Sequence, residues 1–234
     1  MEEHYIVQVQ SQVQGLVDDL KAVFTHAGLA GEAAEYKLLT QSFLYKFLND
    51  KFLYEALNID ESYDYQGLLN LSEEDYDWFL DDIGTKTAHL KPEQLIESLH
   101  RQQNQADFAE IFEQTLNQIA IDNNAIFSVH TDGGTDIRLF DQRLITDTIS
   151  DTSKRNEVAA SIINLLARVK FDQQIFSQGF DFFSTLFEYM IKDYNKDGGG
   201  KYAEYYTPHS VAKIIAAILV GNDQPSNIKI YDPS

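Results

Sequence analysis

A mainly α protein is predicted: an amino-terminal helical domain over residues 1–195, then the opening helix and strand of an α/β domain over 196–234. Three observations carry this expectation. Apolar residues recur at three- and four-residue spacing through successive segments between residues 5 and 194. The run Gly198-Gly199-Gly200 then interrupts the pattern as a connector. Beyond it, an apolar helical stretch leads through the polar loop Asn222 to Asn227 into Ile228-Lys229-Ile230-Tyr231, which reads as a short strand.

In the first segment, Ile6, Val9, Val13, Leu16, Val17, Leu20 and Phe24 mark an amphipathic helix over 5–26 that ends near Gly28. A second helix is predicted over 31–48, with Tyr36, Leu39, Phe43, Leu44, Phe47 and Leu48 on its apolar face, and a third, short one over 50–58. Bundle packing accounts for these aromatics.

Residues 60–82 then turn acidic, with Asp60, Glu61, Asp64, Glu73, Glu74, Asp75, Asp77, Asp81 and Asp82 and no Lys or Arg. Ser72 reads as the cap of a helix whose first turn carries Glu73, Glu74 and Asp75, favourable against the helix dipole. Two readings stand here: a solvated helix face, or a docking surface for a basic partner. Trp78 and Phe79 are anchors of the core or of an interface.

Pro92 starts a predicted helix over 92–103, and another covers 106–121. Asp132-Gly133-Gly134 marks a turn. The 141–149 stretch is ambiguous, since Leu144, Ile145 and Ile149 fit a helix and the threonines weaken it. Helices over 154–168 and 180–194 complete the helical part. Thr207 and Pro208 read as an N-cap followed by proline at the first helical position, where a missing N–H does no harm. Val211, Ile214, Ile215, Ile218 and Leu219 continue that helix to a stop at Gly221. Its uncapped N–H groups and the turn after the strand form two walls of a small-molecule pocket, one of them suited to a carboxylate.

The order Tyr205-Tyr206-Thr207-Pro208, amphipathic helix, strand, Asp232-Pro233-Ser234 resembles the methyl-donor motifs of N6-adenine DNA methyltransferases. More closely, it resembles the modification subunit of bacterial type I restriction-modification systems. The resemblance covers Gly199 to Ser234, with a looser lead-in from about Phe180. It implies a Rossmann-like methyltransferase domain from residue 196 and S-adenosylmethionine as cofactor. Glu204, Tyr205, Tyr206, Thr207, Pro208 and His209 would wall the donor pocket, and Asp232 would begin the donor loop. The implied reaction moves a methyl group to adenine N6 after the base is turned out of the duplex. The implied partners are a DNA-specificity subunit and a restriction endonuclease subunit, with DNA met through the assembled complex. The family's glycine-rich loop would begin where Ser234 ends the chain, and its Asn-Pro-Pro-Phe/Tyr element is absent. The expectation is therefore an amino-terminal fragment of a longer enzyme, with no catalytic residue of its own and no activity alone.

A competing pattern overlaps the connector. Asp193, Asn195, Asp197, Gly198 and Glu204 occupy positions 1, 3, 5, 6 and 12 of a calcium-binding EF-hand loop. Against it, the eighth position is Gly200 rather than an aliphatic residue, and the ninth is the cation Lys201. Pro208 would also cut the exiting helix short. A glycine-rich connector explains the stretch without a metal.

Composition bounds the rest. The 234 residues carry a formal net charge of −19 at pH 7, so most of the surface should repel duplex DNA, whose binding needs Lys and Arg at the phosphates. An acidic helical interaction module without catalysis is the non-enzymatic alternative. The chain has no cysteine, no basic-then-apolar leader and no apolar run near the roughly 18 residues of a membrane span. A cytoplasmic location is expected, and disulfides and thiolate metal sites are excluded. The histidines show no i, i+4 pair of the kind that holds zinc. No serine-hydrolase elbow or Walker loop occurs either.

Overall fold

The structure is a computed structural model that describes residues 2–127, 138–171, 173–177, 189, 207 and 209–220. The chain divides into two units, Met1–Phe180 and Asp181–Ser234. The described residues form helices and no strand, as the mainly α expectation requires. None of these helices is long and apolar enough to cross a membrane.

The first predicted helix forms as α1, Glu2–His26. Its stripe of Val9, Val13, Leu16, Val17, Leu20 and Phe24 is buried throughout. Gly28 closes the helix at φ 89°, a left-handed conformation open to glycine, while Leu29 N–H donates to Phe24 carbonyl at 2.9 Å.

The helices expected over 31–48 and 50–58 are one element, α2, Ala33–Ile59, of 27 residues. Asn49 and Asp50, at the predicted boundary, lie inside it. α2 is buried around much of its circumference, Leu38, Leu39, Phe43, Tyr45, Leu48, Phe52 and Ala56 lying in the core while Tyr36 is exposed. The polar residues near its middle are partnered. Asp50 accepts from Lys46 Nζ at 3.0 Å, Asn49 Nδ2 at 2.8 Å and Phe171 N–H at 3.0 Å. Asn49 Oδ1 accepts from Ile96 N–H at 2.9 Å. With Asn49 and Asp50 satisfied, the helix needs no break at that point.

Two short helices follow, α3 (Tyr65–Asn70) and α4 (Glu73–Ile83). Phe79 of α4 meets Phe52 of α2 edge-on at 5.8 Å between ring centres, and Tyr63 at 5.0 Å. The predicted 92–103 helix is a 3-10 turn, Pro92–Gln94, followed by α5, Ile96–Gln102. Buried tyrosines tie this segment down. Tyr45 Oη donates to Gln94 carbonyl at 2.5 Å, and Tyr76 Oη donates to Leu90 carbonyl.

α6 spans Phe108–Asp122 and α7 Asn124–Phe127. The ambiguous 141–149 stretch contains one short helix, α8, Leu144–Thr148. It ends early because Arg155 captures the freed carbonyls of Thr146 and Ile149 at 3.1 and 2.9 Å. After a 3-10 turn at Thr152–Lys154, α9 runs over Arg155–Arg168 and α10 over Gln173–Ser177. Val158, Ala159, Ile162, Ile163 and Leu166 of α9 are buried, and α9 packs against α1, α5 and α6. Of the predicted 180–194 helix only Tyr189 is described, and it is helical. In the second unit α11 is described over His209–Val220. The Asp132 to Gly134 turn, the 193–204 loop and the 228–231 strand lie outside the described residues.

Candidate functional site

Thr207 is exposed and lies two positions before His209, the first described residue of α11. The described helix begins at His209, and the predicted first helical position, Pro208, lies outside the described residues. Its first turn carries no acidic side chain. Val211, Ile214, Ile215, Ile218 and Leu219 of α11 are all exposed, from 43% at Val211 to 79% at Leu219. Glu204, Tyr205, Tyr206, Pro208 and Asp232, and the side chain of His209, lie outside the described residues. Of the seven positions expected to meet the donor, Thr207 and the backbone of His209 are therefore the part the structure describes.

The amino-terminal unit presents a different surface. In α4, Tyr76, Phe79 and Ile83 turn inward, while Glu73, Glu74, Asp75, Asp77, Trp78, Asp81 and Asp82 are exposed. Ser72 caps the helix as expected, its hydroxyl accepting from Asp75 N–H at 3.2 Å and donating to the Asp75 carboxylate at 2.6 Å. Trp78 is 68% exposed, whereas its neighbour Phe79 is 2% exposed. Glu74, Asp75, Asp81 and Asp82 stand three and four residues from Trp78, which places them around the indole on one helix face. Asp60, Glu61 and Asp64 border the same helix, since Tyr63 between them packs on Phe79. Among the described residues, these carboxylates take part in no ion pair.

Elsewhere the polar constellations serve the fold. Lys46 and Asp50 are both buried and joined at 2.9 Å. Burial pushes the Lys46 ammonium below its ordinary range, and Asp50 opposes that shift. His89 lies against Gly84 carbonyl at 2.6 Å and His100 against Asn164 at 3.1 Å. An open cleft between α1 and α9, lined by Val23, His26, Lys154, Glu157 and Ser161, has no nucleophile paired with a base. Among the described residues, no three His, Asp or Glu side chains converge as a metal site. The buried Lys46–Asn49–Asp50 cluster had a signal in the sequence, the polar break in an apolar stripe, but that signal reads equally as a helix end. The exposure of Trp78 had none.

The N-6 DNA Methylase family model matches residues 178–234. That stretch spans the Thr207 segment and α11, and it supports a relation to N6 DNA methyltransferases. No curated protein and no solved structure matches the chain.

Proposed function

We propose that residues 196–234 open a Rossmann-like domain of an S-adenosylmethionine-dependent enzyme that methylates adenine N6 in DNA, with residues 1–195 as its helical partner domain. One observation carries this reading: the family match over 178–234 takes in the exposed Thr207 and the helix described from His209 to Val220. A helix start free of acidic side chains suits the carboxylate end of the donor. When bound, S-adenosylmethionine supplies an electrophilic methyl group. Around it, Thr207 caps the helix and offers a hydroxyl to the carboxylate, and the backbone N–H groups from His209 onward add theirs. Tyr205 or Tyr206 would pack against the donor, Glu204, Pro208 and His209 would complete the pocket wall, and Asp232 would begin the donor loop. In this reading the protein is a modification subunit of a type I restriction-modification system. Its acidity is tolerable because a specificity subunit makes most of the phosphate contacts and an endonuclease subunit completes the assembly.

The test is donor affinity, measured by equilibrium dialysis with radiolabelled S-adenosylmethionine on the protein expressed from its whole native reading frame. Tyr206→Ala and Thr207→Val should each weaken the donor by roughly tenfold or more, equivalent to about 1.4 kcal/mol, with an unchanged circular dichroism spectrum. Donor affinity unchanged in both variants would overturn the pocket and leave the acidic interaction module as the better account.

A further inference from the structure

Carboxylates on a helix face are what solvation asks for, and by themselves they indicate no site. What solvation does not ask for is Trp78. An indole brings a large apolar surface, and α4 already has its core anchors in Tyr76, Phe79 and Ile83. Trp78 is 68% exposed on the opposite face, adding no packing to the fold. Tryptophan in such a position is the residue type most enriched among the anchors that dominate interface energetics.

The surroundings select the partner. Glu74, Asp75, Asp81 and Asp82 lie around the indole, and residues 60–85 contain no Lys or Arg. A nucleic acid or an anionic membrane would meet like charge. A second copy of the chain would bring another formal charge of −19. A cationic protein surface gains twice: its Arg or Lys side chains meet unpaired carboxylates, and a guanidinium can lie over the indole face. We propose that the outer face of α4 docks a protein whose Arg- and Lys-bearing surface surrounds an apolar pocket, with Trp78 as the anchor that fills it. This docking surface is independent of the methyl-donor reading and stands whether or not that reading holds.

The protein supplies its own probe, because Trp78 is its single tryptophan. The full chain is titrated with a fluorescein-labelled synthetic amphipathic helix that carries arginine on one face and leucine on the other. Two controls accompany it: an arginine peptide of equal charge with serine replacing leucine, and a glutamate-for-arginine version. The Arg/Leu peptide should shift Trp78 emission to shorter wavelength, with an affinity that falls as salt rises. Trp78→Ala, read by anisotropy of the labelled peptide, should weaken binding by roughly tenfold or more. Asp81→Asn with Asp82→Asn should weaken it as well and flatten the salt dependence. Neither exposed change should disturb the circular dichroism spectrum. Equal affinity of Trp78→Ala and the parent would overturn the proposal. So would binding that leaves Trp78 emission unmoved, or a serine peptide that binds as tightly as the leucine one.

Discussion

Adjacent aromatics in one helix can have opposite fates, and Trp78 and Phe79 show how little of this a residue's identity reveals. Successive positions on a helix point about 100° apart, so Phe79 joins Tyr76 and Ile83 on the inner face while Trp78 turns outward. The larger ring is the exposed one, which only the packing of α4 on α2 decides. Phe79→Ala should therefore cost about 3–5 kcal/mol, the range for truncating a buried aromatic. Trp78→Ala should change stability by no more than about 0.5 kcal/mol. Urea unfolding followed by circular dichroism measures both, and comparable losses would show that Trp78 packs in the fold after all. The same lesson holds for Asn49 and Asp50. Their polarity reads as a helix end, yet Phe171, more than a hundred residues along the chain, donates its N–H to Asp50. No local pattern encodes that contact.

At the scale of elements, periodicity made the helices legible wherever one face is apolar and the other wet, as in α1, α6 and α9. It failed at α2, which is buried on several sides and has no clean stripe, and at Pro92, where the first turn stays 3-10 because Tyr45 and Tyr76 bind carbonyls of residues 90–94. Those hydroxyls give the element contacts a pH signature. Burial holds both phenols protonated above their ordinary range, the Glu93 carboxylate adding to the effect at Tyr76. An unfolded tyrosine ionises near pH 10, so above that value the unfolded chain binds fewer protons than the folded one. Stability is then lost as pH rises, at up to about 1.4 kcal/mol per pH unit for each tyrosine. Lys46 acts in the opposite sense: its lowered folded value makes stability rise with pH until its unfolded range near 10.4 is passed. Urea-derived stability between pH 10.5 and 11.5 should fall steeply, and Tyr76→Phe should reduce the slope by about one tyrosine's share. An unaltered slope would mean that another group drives alkaline unfolding. At α11 the apolar spacing predicted a helix that the structure describes from His209 to Val220, and the motif order around it is what the N-6 DNA Methylase match over 178–234 supports.

The charge of the whole molecule was legible from composition alone, because it requires no contact to be known. At −19 the folded chain repels itself. The exposed carboxylates of residues 60–82 concentrate that repulsion on one face, where no described ion pair relieves it. Unfolding spreads the charges apart, so repulsion lowers the stability of the folded state. Screening should restore it, since the Debye length falls from about 30 Å at 0.01 M to about 10 Å at 0.1 M ionic strength. The melting temperature should accordingly rise when sodium chloride is raised from about 0.01 to about 0.3 M, with most of the gain in the first half of that range on a logarithmic scale. A preferential-exclusion effect would instead grow steadily at molar salt and depend on the identity of the anion. The pH dependence separates the two mechanisms further. As pH falls from 7 toward the isoelectric region near 4.5, carboxylates take up protons, the repulsion shrinks and the gain from salt should shrink with it. A salt gain that stays constant across that interval would rule out self-repulsion, and the acidic face would then be a local feature with no hold on global stability.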